Sequence, residues 1–277
     1  LGVPAEIIRM MRTQTDKVPN TSATAASSGA DLNGQAVKDA CEQIRARLAP
    51  VAAEMLTAES SILIPSGAVQ FDHGICKAPQ APGYEVKWEK VVDRAYMKQV
   101  QLSASGFYRT PGIGYDRSKG RGKPFYYFAY GAAVTEVEVD GYTGMKRIRA
   151  VDILHDVGES LNPGVDRGQI EGAFVQGMGW LTGEELKWSK DGKLLTHSAS
   201  TYQIPSMGDA PERFDSELWP HAAQAGVIHG SKAVGEPPLM LALSVREAIR
   251  DAIAAFGAAG GEIALGCPAT HEAIRAA

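Results

Sequence analysis

One carboxylate in this sequence stands where it could act as a general base. Glu236 ends a segment that contains two glycines, Gly230 and Gly235, and Pro237-Pro238 follows it directly. Glycines let a ligand approach the backbone closely, and apolar neighbours would partly exclude water from the carboxylate, as suits a base. Proline is well tolerated in the first turn of a helix. The pattern therefore predicts that Glu236 lies just before a helix over residues 239–256.

A structural interpretation of Glu236 is open on the same evidence. A carboxylate at a helix N-terminus is stabilised by the helix dipole, typically by about 0.3–1 kcal/mol. Spacing alone does not separate a helix-starting glutamate from a catalytic one.

A run of small and hydroxyl-bearing residues, 20–30, is a second candidate. It opens onto a helix predicted over residues 35–48, which Pro50 should end or kink. Backbone N–H groups and hydroxyls near a helix N-terminus can hold an anion. The alternative is a solvated, flexible turn.

A third candidate is the helix predicted over residues 165–181, which follows Asn162-Pro163-Gly164. Each interior glycine costs about 1 kcal/mol relative to alanine, so the four in this helix need a reason. A close backbone or a flat ligand would supply one. The glycines are Gly168, Gly172, Gly177 and Gly179, and the amides on the same helix are Gln169 and Gln176. These amides either face a ligand or are simply exposed.

Four segments of the chain resemble the molybdenum hydroxylases, the xanthine dehydrogenase and aldehyde oxidase family. They are residues 19–37, 103–111, 156–180 and 229–242, and the uninterrupted ten-residue match over 230–239 is the most specific. The likeness covers essentially the whole chain. It corresponds to the C-terminal part of the family's molybdopterin-binding region.

The resemblance implies roles for individual residues. In that family the glutamate matching Glu236 is the catalytic base, the loop matching 24–27 lies against the pyranopterin, and the glutamine matching Gln169 contacts the cofactor. The implied cofactor-binding residues are Thr24, Ala25, Ala26, Ser27, Ser28, Gln169 and Lys232. The molybdenum would be held through the pterin dithiolene, without a direct protein ligand.

The implied reaction is hydroxylation of a carbon next to a ring nitrogen, with hypoxanthine or xanthine converted to urate and water as the oxygen source. Other interpretations remain open: an aldehyde oxidase-like or other N-heterocycle hydroxylase, or a non-catalytic cofactor-binding or assembly fragment. The family's substrate-orienting residues would lie outside this chain. Substrate preference and the choice between NAD and oxygen as acceptor would then depend on residues outside this chain.

The resemblance also implies partners. Iron–sulfur clusters, FAD and NAD are expected elsewhere in a cytoplasmic, multi-subunit complex. The preceding part of the molybdenum subunit and an iron–sulfur/FAD subunit or domain should contact this chain, which should be inactive without them. The first residue is Leu1 and no initiator Met is present, as expected for the interior of a longer polypeptide.

Composition excludes several classes of function. The 277 residues carry a net charge of −4 without a basic block, and no run of 18 apolar residues occurs, so neither nucleic acid nor a membrane is an expected partner. The cysteines Cys41, Cys76 and Cys267 are far apart, which signals neither a zinc site nor an iron–sulfur cluster. Their low, odd number fits a reducing compartment.

The elements that must position these residues suggest an α+β fold, because strands and helices alternate without a regular βαβ repeat. The resemblance implies the molybdenum-cofactor-binding fold of the family, with two mixed α/β subdomains at about 1–125 and 126–277. The clearest element is a hairpin over residues 126–154, turning at 141–144. Further strands are predicted at 62–64, 69–71 and 84–88, and a short helix at 269–276.

Overall fold

The structure is a computed structural model that describes residues 1–16, 25–256 and 263–277. The chain divides into two compact units. Unit 1 comprises Leu1–Ala25 and Leu32–Pro111, and unit 2 comprises Ala26–Asp31 and Gly112–Ala277. Each unit has its own hydrophobic core. Thr24 and the glycine-rich stretch 257–261, where a helix end is expected, lie outside the described residues.

The first long helix, α1, spans Gly29–Ser60. The helix therefore does not end near Pro50, which was one of the two predicted effects of that residue, and the predicted start at residue 35 is wrong. Proline inside a helix costs about 3 kcal/mol, but the turns beyond it bury apolar side chains in the core of unit 1, which offsets that cost. These side chains belong to Val51, Ala52, Ala53 and Leu56.

A small antiparallel sheet and a second helix complete the core of unit 1. Strands β1 (Gln70–Asp72), β2 (Ile75–Lys77) and β3 (Glu85–Lys87) pair in sequence order, and α2 follows at Trp88–Met97. The strand predicted at 62–64 does not form. There the amide of Ile64 donates to the Thr57 hydroxyl at 3.0 Å, so this N–H is not paired with a neighbouring strand.

The family-like segment 103–111 lies along α1, within unit 1. Arg47 donates to the Ser103 carbonyl at 2.7 Å, and the Phe107 amide donates to Asp39 at 3.1 Å. A Cβ on Gly106 would lie 1.7 Å from the Ala36 carbonyl oxygen. A glycine is therefore needed where this segment crosses the helix, which gives the motif a structural role.

Unit 2 is built on a three-stranded sheet. Strands β4 (Gly114–Asp116) and β5 (Arg121–Lys123) form a separate hairpin. The main sheet has β6 (Gly131–Val139) antiparallel to β7 (Lys146–His155), and β8 (Arg213–Leu218) parallel to β7. The predicted hairpin is confirmed, although its first strand begins at residue 131 rather than 126.

Unit 2 also contains the α-helices α3 (Pro163–Thr182), α4 (Leu243–Phe256) and α5 (His271–Ala276). Their apolar faces form one core with the sheet, whose largest fully buried members include Phe174, Ile170, Met178, Leu181, Val151 and Ile249.

The predicted start of α3 is confirmed. The Asn162 side chain accepts a hydrogen bond from the Val165 amide at 3.2 Å, and Pro163 occupies the first helical position. Two of the four glycines are explained by close packing: a Cβ on Gly177 would lie 2.4 Å from the Leu239 carbonyl oxygen, and one on Gly179 would meet the Pro205 ring.

The other two glycines of α3 have a different environment. Within the described residues, a Cβ on Gly168 or Gly172 would meet no atom within 4 Å. Protein packing in unit 2 therefore accounts for only half of the glycines in this helix.

Across the described ranges, no helix is both long and apolar enough to cross a membrane.

Candidate cofactor-binding site

The segment that carries Glu236 is fixed to the end of β7 by its backbone. Gly158 and Ser231 form an antiparallel bridge, the Lys232 amide donates to the Val157 carbonyl at 2.8 Å, and the Glu159 amide donates to the Gly230 carbonyl at 2.8 Å. Gly158 has φ +66°, and a Cβ there would lie 2.4 Å from the Gly230 oxygen. Only glycine satisfies both conditions.

A buried ion pair holds Lys232 in place. The Lys232 ammonium pairs with Asp156, and their side chains are 8% and 11% exposed. The same ammonium donates to the Phe128 carbonyl at 3.0 Å and lies 5.7 Å from the centre of the Tyr130 ring. The other oxygen of Asp156 accepts from the Gly158 amide at 2.8 Å.

The charge of Lys232 is thus already compensated inside unit 2. These contacts favour a structural role, and its role as a cofactor contact stays a prediction.

A tyrosine links the Glu236 segment to the start of α1. The Ala233 amide donates to the Tyr127 hydroxyl at 2.8 Å, and this hydroxyl donates to the Asp31 carboxylate. Burial raises the pKa of Asp31, and the hydrogen bond from Tyr127 opposes that rise. All three residues belong to unit 2.

Two predicted site residues, Ser27 and Gln169, meet at Gly235. A Cβ on Gly235 would lie 2.8 Å from the Ser27 hydroxyl oxygen and 3.2 Å from the Gln169 side-chain oxygen. Ala26 and Ser27 have φ values of +58° and +51°, and α1 begins two residues after Ser27. The structure therefore brings the hydroxyl loop, the α3 amide and the Glu236 segment together.

The remaining predicted loop residues are placed less fully. Ala25 is exposed and belongs to unit 1, and Ser28 is half-buried between Ser27 and the start of α1. Thr24 is not among the described residues.

Glu236 precedes a 3₁₀ helix, Pro237–Ala242, which runs directly into α4. The α-helix predicted over 239–256 is therefore wrong in its first turn. Pro237 and Pro238 contribute no N–H groups, and the Leu239 carbonyl packs tightly against Gly177. Both facts suit a short 3₁₀ turn.

The Glu236 side chain is exposed and does not cap this helix. Across the described part of the chain, its carboxylate also forms no ion pair. Glu236 nevertheless stands directly before this helix, so the helix-dipole interpretation of its position stays open beside the catalytic one.

Sequence reasoning missed several polar residues behind the site. Asp156 and His155 are buried, Asp31 and Tyr127 are half-buried, and nothing in their spacing marks them as such. His155 is 1% exposed, burial lowers the pKa of its imidazole, and its Nδ1 has no partner among the described residues. The aromatic run 125–130 was the available signal for Tyr127.

No group of three or more His, Cys, Asp or Glu side chains that could hold a metal ion is found in the described ranges.

Comparisons with known proteins agree with this architecture. A family profile described as "Molybdopterin cofactor-binding domain" matches residues 1–211. The chain is 44% identical to xanthine dehydrogenase of Oryza sativa subsp. japonica over all of its length, and 45% identical to xanthine dehydrogenase/oxidase of Rattus norvegicus over 99% of its length. It spans 19% of each of these relatives.

Solved structures show the same fold. The Cu,Mo-CO dehydrogenase structure aligns with a TM-score of 0.75 at 21% identity, over 95% of this chain and 31% of that one. Quinoline 2-oxidoreductase of Pseudomonas putida 86 aligns with a TM-score of 0.72 at 22% identity, over 91% of this chain and 30% of that one. The chain belongs to the molybdopterin cofactor-binding domain family of the molybdenum hydroxylases, and within it this domain is xanthine dehydrogenase-like. The predicted α+β fold is confirmed.

The residues at Gly235 fit a pterin cofactor. The Ser27 hydroxyl and the Gln169 amide lie close to the Gly235 backbone, and groups of these types can hydrogen-bond to the polar edge of a pterin. The adjoining start of α1 is favourable for an anionic group such as the cofactor's phosphate, because the first N–H groups of a helix lack intrahelical partners.

Proposed function

We propose that this chain supplies the catalytic base and part of the cofactor-binding site of a molybdenum-dependent hydroxylase of the xanthine dehydrogenase type. The single observation that carries the proposal is the Glu236 carboxylate. It is exposed, forms no ion pair among the described residues, and follows Gly235, which lies against Ser27 and Gln169. The names of the relatives support xanthine as substrate, with hypoxanthine and xanthine converted to urate.

The cofactor would be bound from several sides. The loop residues Ala25, Ala26, Ser27 and Ser28 would contribute backbone and hydroxyl groups, and Gln169 its amide. Thr24 and Lys232 remain proposed contacts on the strength of the resemblance. When bound, the cofactor supplies the two-electron redox chemistry that amino-acid side chains cannot.

Glu236 would act on protons. Its carboxylate oxygens would accept a proton from the water that supplies the oxygen atom, which makes that oxygen a better nucleophile. The exposed position of the side chain leaves it accessible to water and substrate. Segment 230–233, fixed by the β7 backbone and by the Lys232–Asp156 pair, would keep the base from drifting away from the cofactor.

The electrons would leave through groups outside this chain. We propose that iron–sulfur clusters, FAD and NAD lie elsewhere in a cytoplasmic complex, with the preceding part of the molybdenum subunit and an iron–sulfur/FAD subunit or domain as partners. An aldehyde oxidase-like or other N-heterocycle hydroxylase has the same site chemistry and differs in substrate. A non-catalytic cofactor-binding fragment would have no use for an uncommitted carboxylate at position 236.

The test is Glu236→Gln in the complete enzyme. Molybdenum content by mass spectrometry should stay at the wild-type level, while xanthine-dependent NAD reduction should fall by about 10²- to 10⁴-fold, the usual contribution of a general base. Glu217→Gln is the matched control, because Glu217 is also an exposed glutamate of unit 2 and should change neither value.

Other results have definite meanings. Turnover that survives Glu236→Gln would reduce Glu236 to a helix-start residue. A wild-type enzyme that oxidises aldehydes or another N-heterocycle in preference to xanthine would favour the alternative hydroxylases.

A further inference from the structure

Tyr127 joins the two segments that border the proposed cofactor site. Its hydroxyl accepts from the Ala233 amide at 2.8 Å and donates to Asp31. Ala233 stands three residues before Glu236, and Asp31 stands four residues after Ser27. One phenolic oxygen thus contacts the backbone of the Glu236 segment and a side chain at the start of α1.

The bonding at Tyr127 uses both capacities of a hydroxyl, which can donate once and accept as well. A phenylalanine ring of the same size could do neither. Asp31 depends on this bond, because its other oxygen is buried and lacks a partner within the described residues. Loss of the Tyr127 hydroxyl would therefore be costly for both Asp31 and the Ala233 amide.

Neighbouring contacts do not replace this link. The Lys232–Asp156 pair and the bridge between Gly158 and Ser231 fix the Glu236 segment to the end of β7. These contacts do not fix the distance between the Glu236 segment and Ser27. That distance is short, because a Cβ built on Gly235 would lie 2.8 Å from the Ser27 hydroxyl oxygen. A small shift of either segment would change this contact.

We propose that Tyr127 is a positioning residue, whose hydroxyl sets the distance between the Ser27 loop and the Glu236 segment and so places the base relative to the cofactor. The catalytic half of this inference rests on the proposed function. The structural half, that Tyr127 orders residues 230–236, is independent of it.

The experiment compares Tyr127→Phe with Tyr126→Phe in the complete enzyme. Tyr126 is a matched control, because it is the adjacent half-buried tyrosine of the same segment. Amide hydrogen exchange is measured for peptides covering 230–236, and turnover is measured per bound molybdenum. Tyr127→Phe should speed exchange in these peptides about tenfold and lower kcat about ten- to a hundredfold, since small misplacements of catalytic groups have effects of this size. Tyr126→Phe should change each value less than twofold.

A double-mutant cycle separates positioning from general damage. In a Glu236→Gln background, Tyr127→Phe should lower the residual turnover less than twofold, because the base that it positions is already absent. A purely structural defect would lower turnover by the same factor in both backgrounds. If Tyr127→Phe does not accumulate as folded protein, Asp31→Ala breaks the same link and carries the same expectations, whereas Asp31→Asn keeps an acceptor and should rescue.

The outcomes are distinct. Unchanged exchange over 230–236, or equal losses in the two backgrounds, would overturn the role of Tyr127. A wild-type enzyme without molybdenum-dependent turnover would overturn the proposed function instead, and the exchange data would still decide whether Tyr127 orders the segment.

Discussion

Lys232 lies four residues before the proposed base, yet its charge is directed into the protein. With side-chain exposures of 8% and 11%, Lys232 and Asp156 form a pair that water barely reaches. Removal of one partner of such a pair leaves a buried, uncompensated charge. A residue beside a functional group can therefore be needed for the fold rather than for the ligand.

Lys232→Met should lower the free energy of unfolding by about 3–5 kcal/mol, the usual cost of breaking a buried ion pair. The double variant Lys232→Met/Asp156→Asn should recover much of this loss, because Asn can still accept from the Gly158 amide. Urea denaturation measures both values. Lys190→Met, at an exposed lysine of the same unit, is the control and should change stability little.

The same variants test whether Lys232 binds the cofactor. A Lys232→Met protein of normal stability that had lost its molybdenum would show that the lysine contacts the cofactor directly, as the resemblance implies.

At the scale of elements, α3 has two kinds of glycine. Gly177 lets the helix approach the backbone at Leu239, whereas Gly172 faces open space in the described structure. The first kind is required by packing within unit 2. The second is available to a ligand or to another part of a longer protein.

Gly177→Ala should lower the free energy of unfolding by about 1–3 kcal/mol, because its Cβ would overlap a carbonyl oxygen that the 3₁₀ turn holds in place. Gly172→Ala should raise it by up to about 1 kcal/mol, since alanine is the better helix former and nothing blocks it. Thermal unfolding of cofactor-free protein compares the two. Equal effects would mean that the glycines serve a common purpose and that packing does not distinguish them.

Elements with strong local signals were predictable from the sequence. Asn162 and Pro163 define the start of α3, and alternation around the turn 141–144 identifies the β6–β7 hairpin. The length of α1 was not predictable, because burial of the residues beyond Pro50 depends on the rest of unit 1. The prediction of an α-helical first turn after Glu236 was wrong for a similar reason, because the contact of this turn with Gly177 is a tertiary one.

The proposed site follows the same division. Glu236, Gln169 and Ser27 could be predicted because each lies within a continuous segment of sequence that resembles the family. The Tyr127–Asp31 bond and the Lys232–Asp156 pair join residues 96 and 76 positions apart, and no local pattern specifies such contacts.

At the scale of the whole molecule, the chain is a part of what its relatives contain. It spans 19% of the xanthine dehydrogenases that it matches, and its three widely separated cysteines give no iron–sulfur motif. In the proposed function, the substrate-orienting residues and the groups that accept the electrons lie outside these residues.

The purified chain by itself should therefore show no xanthine-dependent turnover, with or without added cofactor. The complete enzyme containing the same residues should show turnover under the same conditions. The assay is urate formation with an artificial electron acceptor, and circular dichroism serves as a control that the isolated chain is folded. Urate production by the isolated, folded chain would contradict the dependence on partners.

The compensation of Lys232 by Asp156 has a consequence for ionic strength. A cation that is already neutralised adds little long-range attraction for an anionic cofactor, so the binding would rest on hydroxyls, an amide and the N–H groups at the start of α1. Such short-range, oriented dipoles are far less affected by dissolved ions than exposed charge pairs are, because mobile salt screens interactions mainly over a Debye length of about 8–10 Å through solvent. We expect a cofactor held in this way to depend on salt concentration less than one held by exposed Lys or Arg side chains.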